Sequence, residues 1–479
     1  MSRRGHNRMP AGREAFSTPM VMQDQPASVP FSRLRSGRWL VNALIVVFLF
    51  TVSYAINESN IVATERHPDE TRWLNRAYYI EDFADPYGKT WQDYYLTRGQ
   101  PPGGSYLIGL GLLVQGQPLD SNGVWDFHYG DDWNENTGAV PDRDVLLAGR
   151  RTNAVVGALV VVVTFIAANM LTNRIGGLFA GLFLAYHPLH IKLSTQALSD
   201  ELLALTLAVT FVASFKFARQ PSFGWALLMG VSLGIGGATK LAPLALSFVL
   251  AGFGVIWLLW RHRRFGREAL RWPASRQGIF LLLQPVISGF IFVAMYPYLW
   301  VAPIRRSLEL LDFRRTEMAS QARIWPWAQV DNPKDAFMRY GEQLHDAASS
   351  TRHFQQWILD QLGYSVRNPV SFDFIIVAIG AILLLRIVLE RGLWSPHAMM
   401  ALVMAAEVGA VTVGLGVDFY RYYLPVLLVN SILVGVAFGM GSESIRDLYS
   451  RKWVAASSPE STAAAASWKS QEIGPERAS

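Results

Sequence analysis

The chain contains no cysteine among its 479 residues. This absence excludes a disulfide framework, a thiolate nucleophile and a metal site with cysteine ligands. Charged residues are also scarce, because Asp, Glu, Lys and Arg make up 17% of the chain, against roughly 25% in an ordinary soluble domain. Hydrophobic residues make up 51%. The composition indicates a membrane protein.

Several common site motifs are missing as well. The sequence has no glycine-rich phosphate loop, no zinc-protease helix and no nucleophile elbow. It has no nucleic-acid-binding motif either, although its net charge is +6. Most basic residues stand in short clusters beside apolar runs, a pattern typical of contact with anionic lipid headgroups. We therefore expect membrane lipids, and not nucleic acid, among the partners.

Ten apolar stretches are candidates for transmembrane helices. A helix needs about twenty mostly apolar residues to cross the bilayer core, where its backbone groups must be satisfied within the segment. The predicted spans lie at 39–56, 152–171, 175–185, 202–218, 223–238, 241–260, 278–296, 372–389, 398–415 and 424–440. The predicted fold class is an all-α polytopic membrane protein with about ten transmembrane helices.

The basic clusters predict the orientation, since Lys and Arg in short loops stay on the cytoplasmic side. All clusters fall inside if the N-terminus is cytoplasmic: Arg33, Arg35, Arg38, Arg174, Arg261, Arg263, Arg264, Arg267, Arg386, Arg391, Arg446, Arg451 and Lys452. Ten spans then place both termini in the cytoplasm, in a plasma (inner) membrane. Residues 1–38 are predicted to be a disordered basic N-terminus, 39–440 the transmembrane domain and 441–479 a largely disordered tail.

Two long loops, 57–151 and 297–371, lie outside in this topology. The first contains an apolar stretch at 105–114 that is too short to span and follows the sequence QPPGG. Such a stretch is typical of an interfacial helix lying along the membrane. We expect function to reside in these extracytoplasmic loops.

Acidic residues occur at two predicted outer boundaries. Asp69 and Glu70 follow the first span, and a second pair, Asp200 and Glu201, stands where an outer loop enters the fourth span. A carboxylate at such a place can act as a general base or orient a substrate. The alternatives are a solvated helix start for the first pair and a helix cap, made by Ser199 or Asp200, for the second.

Cations accompany the acids on the same side. Arg150 and Arg151 open the second span, Lys240 lies in a tight connection between two apolar segments, and Arg421 opens the last span. Each suits an anionic group such as a substrate phosphate, or Asp69 or Asp200 in the case of Lys240. The alternative is an ordinary interfacial anchor whose charge reaches the headgroups.

Three histidines lie near the acids in the sequence. His67, His187 and His190 could contribute to a divalent metal site, or form hydrogen bonds to water and backbone. Their spacing is irregular, so we expect that no cofactor or metal ion is required.

The ordered set of these motifs resembles the GT-C glycosyltransferase superfamily, close to the protein mannosyltransferase and aminoarabinose transferase group. The resemblance covers roughly 39–440. It rests on the acidic pair after the first span, Pro101 and Pro102 before an interfacial helix, an Arg opening the second span, and the stretches AYHPLHIKLSTQALSDELLAL, GGATKLAP and RYYLP.

The resemblance implies a GT-C-like bundle that transfers a sugar from a polyprenyl- or dolichyl-phosphate donor, with inversion, outside the cytoplasm. Asp69 corresponds to the catalytic base, and Glu70 and Asp200 to assisting residues. The residues that would hold the lipid-linked phosphate are Arg150 or Arg151, Lys240, Arg421 and Tyr422. The acceptor is a lipid, glycan or protein. The second outer loop is too short for the extra β-trefoil domain of eukaryotic relatives, which favours a bacterial-type enzyme.

Two other functional classes fit a polytopic chain. A transporter or flippase of lipid-linked sugars would also carry intramembrane charges, but such proteins often show internal repeats, which this sequence lacks. A noncatalytic envelope subunit would not need two acidic pairs and several cations on one side.

Overall fold

A computed structural model describes residues 31–92, 95–346, 349, 351–364 and 371–456. These residues are mostly α-helical, and they contain no β-strand beyond an isolated bridge between Gln329 and Val417. The all-α fold class is therefore confirmed. The disorder predicted for 1–30 and for the tail beyond Ala456 concerns residues outside the described ranges.

Twenty α-helices occur in these ranges. The first ten are α1 (Phe31–Asn60), α2 (Pro68–Asn75), α3 (Tyr79–Asp82), α4 (Tyr95–Gly99), α5 (Gly103–Val114), α6 (Asp131–Asn136), α7 (Arg143–Leu171), α8 (Arg174–Tyr186), α9 (Pro188–Ser194) and α10 (Asp200–Arg219). The others are α11 (Phe223–Gly237), α12 (Ala242–Phe265), α13 (Arg276–Leu282), α14 (Gln284–Ala294), α15 (Pro303–Ile324), α16 (Pro333–Tyr340), α17 (Arg352–Gln361), α18 (Phe372–Arg391), α19 (Pro396–Gly414) and α20 (Leu424–Ala456).

Each of the ten predicted spans coincides with helical structure. Among the described residues, eight segments are long and apolar enough to cross a membrane, so the chain is a multi-pass membrane protein. Two of the predicted spans are the shorter apolar helices α8 and α11. The total of ten spans stays a prediction, as does the orientation.

The predicted third span is short because the helix is interrupted. Pro188 has no N–H to continue the hydrogen bonding of α8, and the His187 imidazole accepts a hydrogen bond from the Leu189 N–H at 3.3 Å. The chain then resumes as α9. Together the two helices run from Arg174 to Ser194, about 30 Å of helix.

Glycine allows α8 to approach α20 closely. A Cβ atom on Gly176 would lie 2.4 Å from the Gly435 carbonyl oxygen, and one on Gly435 would lie 2.6 Å from the Gly176 carbonyl oxygen. Small residues at such crossings let the backbones of membrane helices pack directly. The last helix is thereby fixed against the first half of the chain.

The chain divides into the parts 1–44 and 45–479. Residues 31–44 are helical, and the side chains of Leu40, Val41 and Leu44 are exposed. The residues from Ile45 onward have their own core, which includes Phe165, Leu184, Leu207, Phe211 and Leu428. Their buried faces bring α7, α8, α10 and α20 together.

Two helices extend beyond the predicted spans. α1 begins at Phe31 and α20 continues to Ala456, within segments for which we expected disorder. The sequence 441–456 contains no proline, and its Glu, Arg and Leu residues favour helix. The helix therefore continues beyond residue 440, where the apolar stretch ends. The stretches predicted as outer loops also contain helices, α2 to α6 in the first and α15 to α17 in the second.

Candidate active site

The first turn of α2 carries Asp69 and Glu70. Pro68 stands at the start of the helix, where a missing N–H costs nothing. The His67 Nδ1 accepts a hydrogen bond from the Asp69 N–H at 3.1 Å, and the Glu70 Oε2 accepts one from the His67 N–H at 2.8 Å. This reciprocal capping box fixes the direction in which each acid points.

Asp69 faces a cavity and pairs with Arg421, which lies 352 positions further along the chain. Both side chains are largely buried. Burial by itself raises the pKa of Asp69, but the Arg421 guanidinium and His67 outweigh it and lower that pKa from 3.8 to about 2. Asp69 is therefore a carboxylate at neutral pH, and it is a weak base while the pair is intact.

Asp200 forms a second ion pair on the same cavity. Its Oδ1 contacts the Nζ of Lys240. The Tyr422 ring joins the two pairs, because its centroid lies 5.1 Å from the Lys240 Nζ and 5.6 Å from the Arg421 Cζ. The Ser199 side chain makes no capping hydrogen bond to α10, so the predicted alternative of a cap by Ser199 is wrong. Asp200 pairs with Lys240.

The cavity has a volume of about 1260 Å³. Five of the eight predicted site residues line it: Asp69, Asp200, Lys240, Arg421 and Tyr422. They come from α2, the start of α10, the turn before α12 and the turn before α20. Residues of α15 and the C-terminal half of α19 complete the walls. The structure thus brings together acids and cations that are distant in the sequence.

Glu70 and Arg150 lie off the cavity and form a buried ion pair, which we name the Glu70–Arg150 clamp. The Arg150 Nε and Nη2 donate to the two Glu70 carboxylate oxygens at 2.8 Å each. Glu70 also accepts the Ala197 N–H at 2.8 Å. The Arg150 Nη1 donates to the Ile61 and Thr64 carbonyl oxygens at 2.7 and 2.8 Å.

The clamp supports the site without facing it. It ties the end of α1, the first turn of α2 and the 195–199 loop to α7, and Asn153 adds hydrogen bonds to the Gln196 and Leu198 carbonyl oxygens at 2.5 and 2.7 Å. Asp69 follows the segment 61–64, which Arg150 holds, and Asp200 follows the 195–199 loop, which Glu70 and Asn153 hold. The clamp therefore positions the two cavity acids.

Arg151 also lies off the cavity. Its side chain is 45% exposed and its Nε contacts the Glu58 Oε1 at 3.2 Å. Arg150 and Arg151 are adjacent, yet only Arg150 faces the protein interior, because consecutive residues of a helix point in different directions. The sequence had left open which of the two is the site residue, and neither contacts the cavity.

Three further guanidinium groups, which the sequence did not single out, lie in the cavity wall. Arg72 and Arg76 lie one and two turns after Asp69, and Arg314 extends from α15. They donate to carbonyl oxygens: Arg72 to Trp125 at 3.1 Å, Arg76 to Leu96 at 3.4 Å and Arg314 to Gly99 at 2.7 Å. Among the described residues, none of the three forms an ion pair with a carboxylate. The cavity wall also contains the carboxylates of Asp126 and Glu317, so the three guanidinium groups lie in a wall of mixed charge without a direct carboxylate partner in the described part of the chain.

A carboxylate inside a predicted span was missed as well. Glu407 of α19 is 1% exposed, lines the cavity and has an Oε2 atom with no hydrogen-bond partner among the described residues. An ionisable residue within an apolar span is itself a signal of function, and it could have been found in this sequence.

The three predicted histidines are not brought together. His67 lines the cavity, whereas His187 and His190 are fully buried, and His190 lies 3.3 Å from Glu201. The described residues contain no group of three or more His, Asp or Glu side chains arranged to hold a metal ion. That no cofactor or metal ion is required stays a prediction.

The QPPGG sequence explains how α5 reaches the site. The Gly103 N–H donates to the Ala238 carbonyl oxygen at 2.7 Å, and a Cβ atom on Gly104 would lie 2.7 Å from the Trp73 ring. Only glycine permits both approaches. The helix start consequently packs between α2 and the turn that carries Lys240.

Three solved structures contain chains that are similar to this one. ArnT from Cupriavidus metallidurans, bound to undecaprenyl phosphate, is 17% identical with a TM-score of 0.46, over 84% of this chain and 60% of that one. AglB from Archaeoglobus fulgidus, in complex with an inhibitory peptide and a dolichol-phosphate, is 11% identical with a TM-score of 0.47, over 88% and 52%. The Pmt1-Pmt2 complex of S. cerevisiae, bound to the sugar donor, is 17% identical with a TM-score of 0.39, over 53% and 33%.

The chain thus spans between one third and three fifths of the length of these proteins. No curated protein sequence matches it. The family model for dolichyl-phosphate-mannose-protein mannosyltransferase matches residues 43–308, which is more than half of the chain, and this match confirms the resemblance to the protein mannosyltransferase group. The chain belongs to the dolichyl-phosphate-mannose-protein mannosyltransferase family.

Proposed function

We propose that this protein transfers a sugar from a polyprenyl-phosphate-linked donor to an acceptor on the extracytoplasmic side of the membrane, with inversion at the anomeric carbon. The observation that carries the proposal is the single cavity lined by Asp69, Asp200, Lys240 and Arg421. It lies at one end of a bundle of apolar helices, where a donor anchored in the bilayer by its lipid can enter. Family membership supports the donor class.

Asp69 is the general base of the proposed reaction. An acceptor hydroxyl or amide attacks the anomeric carbon and gives its proton to the Asp69 carboxylate, while the bond between that carbon and the phosphate oxygen breaks. The bonding electrons leave with the carrier phosphate. A single displacement of this kind inverts the anomeric carbon and needs no covalent enzyme intermediate.

The ion pair with Arg421 suppresses the base until the donor is bound. With a pKa of about 2, the paired carboxylate accepts a proton poorly. The donor phosphate competes with Asp69 for the Arg421 guanidinium, whose planar donors suit phosphate. As Arg421 turns to the phosphate, Asp69 loses its strongest stabilising charge and its pKa rises. Donor binding thereby activates the base.

Lys240 and Arg421 together stabilise the leaving phosphate. Negative charge grows on the phosphate as the sugar departs, and cations already placed beside it lower the energy of the transition state. Tyr422 holds both cations by its ring, and Asp200 keeps Lys240 in position. Arg72, Arg76 and Arg314 line the same cavity, and their guanidinium groups can donate hydrogen bonds to an anionic donor.

The same arrangement argues against transport. A flippase needs a pathway between the two faces of the membrane. The cavity near Asp69 and a second cavity around Arg391 share no lining residue. The cavity that contains Asp69 brings acids and cations together, as a transfer reaction needs.

The test is sugar transfer in membranes that contain the full chain. Radiolabelled polyprenyl-phosphate sugars are supplied to membranes with the wild type, Asp69→Asn or Glu58→Gln at matched abundance. We expect Asp69→Asn to lower transfer by about 10³-fold, as for removal of a general base. Glu58→Gln neutralises an exposed carboxylate that pairs with Arg151, so it should retain full transfer.

Two outcomes overturn the proposal. Full transfer by a correctly folded Asp69→Asn protein removes the assigned base. No transfer by the wild type from any donor to lipid, glycan or protein acceptors, when the donors are active with a control enzyme, shifts the function to transport. Size-exclusion chromatography of the purified variants separates a loss of chemistry from a loss of fold.

A further inference from the structure

A second cavity, of about 550 Å³, lies at the other end of the bundle. Its wall includes Lys216 and Arg219 at the end of α10, Arg391 at the end of α18, and Ser395 and His397 at the start of α19. We name it the basic pocket. None of the residues that line it is acidic.

The helix lengths fix its distance from the candidate active site. α10 runs from Asp200, which lines the first cavity, to Arg219, and α19 runs from the basic pocket to Gly414 in the first cavity wall. Helices of 20 and 19 residues are each about 30 Å long. That length equals the hydrocarbon thickness of a bilayer, so the basic pocket lies at the opposite membrane boundary.

The charges in the basic pocket are not neutralised by the protein. Among the described residues, Lys216, Arg219 and Arg391 form no ion pair with a carboxylate. Arg386, one and a half turns before Arg391 on α18, does pair with Glu390 at 2.7 Å. Within the described part of the chain, the C-terminal end of α18 therefore provides an acidic partner for Arg386 but none for the basic residues of the pocket.

Arg391 is held in place without losing its charge. Its Nη1 lies 2.9 Å from the His397 Nε2. Because a guanidinium can only donate, the imidazole nitrogen accepts and the ring is neutral. The Phe215 ring packs against the edge of the His397 ring at 5.1 Å. The protein therefore orients a guanidinium toward a cavity that offers it no anion.

We propose that the basic pocket binds a phosphate anion, as carried by the headgroup of an anionic phospholipid or as free inorganic phosphate. Basic cavities between membrane helices at a bilayer boundary bind phosphate headgroups. The pocket combines cations with apolar wall residues such as Met170 and Phe215, which a lipid can contact with its glycerol and acyl chains. This site is independent of the proposed transfer reaction.

The test is binding to the purified full-length protein in detergent micelles. Fluorescent phosphatidylglycerol, fluorescent phosphatidylcholine and radiolabelled inorganic phosphate are titrated separately against three proteins. These are the wild type, the double variant Lys216→Gln/Arg391→Gln and the control Arg386→Gln. The control removes one cation from the same end of α18 without touching the pocket wall. Unfolding temperatures verify that all three proteins are folded.

We expect the double variant to bind phosphatidylglycerol about tenfold more weakly, with phosphatidylcholine binding unchanged and Arg386→Gln like the wild type. This outcome supports the proposal with a lipid as the source of the phosphate. A selective loss of inorganic phosphate binding supports it with free phosphate as the source. Equal weakening by the control, or no change of either ligand in a folded double variant, overturns it.

Discussion

Asp69 and Glu70 are adjacent in the sequence, but their ion pairs have different roles. In the Glu70–Arg150 clamp, the two carboxylate oxygens accept four hydrogen bonds, two from Arg150 and one each from the His67 and Ala197 N–H groups. The Asp69–Arg421 pair borders a cavity, and the buried Nε of Arg421 has no partner among the described residues. The clamp is saturated, whereas the cavity pair can still accept a ligand.

Adjacent acids therefore differ in hydrogen-bond saturation, which distinguishes the supporting Glu70 from the cavity residue Asp69. A saturated buried pair gains nothing from a substrate and loses much when one member is removed. An unsaturated pair at a cavity can exchange partners at small cost. Three measurements test this distinction between the saturated clamp and the cavity residues.

The largest effect on stability should come from breaking the clamp. Arg150→Gln leaves Glu70 as a buried charge without its cation, and such losses typically cost about 3–5 kcal/mol. We expect a strong fall in the unfolding temperature, measured by size-exclusion chromatography after heating in detergent.

The matched control is Arg151→Gln, one residue further along α7. It removes an exposed pair with Glu58, which contributes about 0–1 kcal/mol. If Arg150→Gln is as stable as Arg151→Gln, the clamp has no supporting role. The double variant Glu70→Gln/Arg150→Gln should be less unstable than the sum of its parts, since it leaves no unpaired charge.

A smaller effect is expected from acid. The pKa of Asp69 lies near 2 in the folded protein, below its ordinary value of 3.8. A lowered pKa contributes stability that is fully present above about pH 4 and is lost as the pH falls through 2. The shift corresponds to about 2 kcal/mol. The unfolding temperature of the wild type should therefore fall more steeply between pH 4 and pH 2 than that of Asp69→Asn.

Glu58→Gln provides the reference for this titration. Glu58 pairs with Arg151 at the exposed surface, so its removal should leave the slope near that of the wild type. Parallel curves for the wild type and Asp69→Asn would show that the Arg421 pair does not form in solution.

The smallest effect concerns donor affinity. Lys240→Gln removes one of the proposed phosphate ligands while Asp69 and Arg421 remain. We expect kcat/KM for the donor to fall about tenfold, through both a higher KM and a lower kcat, because Lys240 would contact the bound phosphate and also stabilise the charge that grows on it in the transition state.

Lys192→Gln is the matched control. The Lys192 Nζ lies 4.0 Å from the centroid of the Tyr420 ring, next to the site, but Lys192 does not line the cavity. Its removal should leave kcat/KM unchanged. Equal effects of the two substitutions would mean that lysine charge near the cavity, and not contact with the donor, determines affinity.

Much of the fold was predictable because long apolar stretches report directly on membrane helices. The acids were predictable in part, since a carboxylate at a membrane boundary is rare and costly. Their partners were not. Asp69 pairs with Arg421 and Asp200 pairs with Lys240, and sequence separation carries no information about which cation meets which acid.

Some of the missed residues had a readable signal. Residues three, four and seven positions after Asp69 lie on the same helix face as Asp69. They are Arg72, Trp73 and Arg76, and all four residues line the cavity. Glu70 is off that face. In α7, Arg150, Asn153 and Gly157 have the same spacing and are all buried. Helical periodicity applied to polar residues would have separated Arg150 from Arg151. Arg314 had no such signal, because its approach depends on how α15 folds back.

The ion pair between Asp69 and Arg421 also has a consequence for biosynthesis. Ribosomes make a chain from its N-terminus, and Asp69 emerges 352 residues before its cation. A nascent chain carries that acid without a counter-charge through the insertion of nearly every helix. A chain truncated before Arg421 retains the Asp69 carboxylate but neither the guanidinium that pairs with it nor the helix that packs against α8. Synthesis of the last helix is therefore the step at which the Asp69–Arg421 pair can first form.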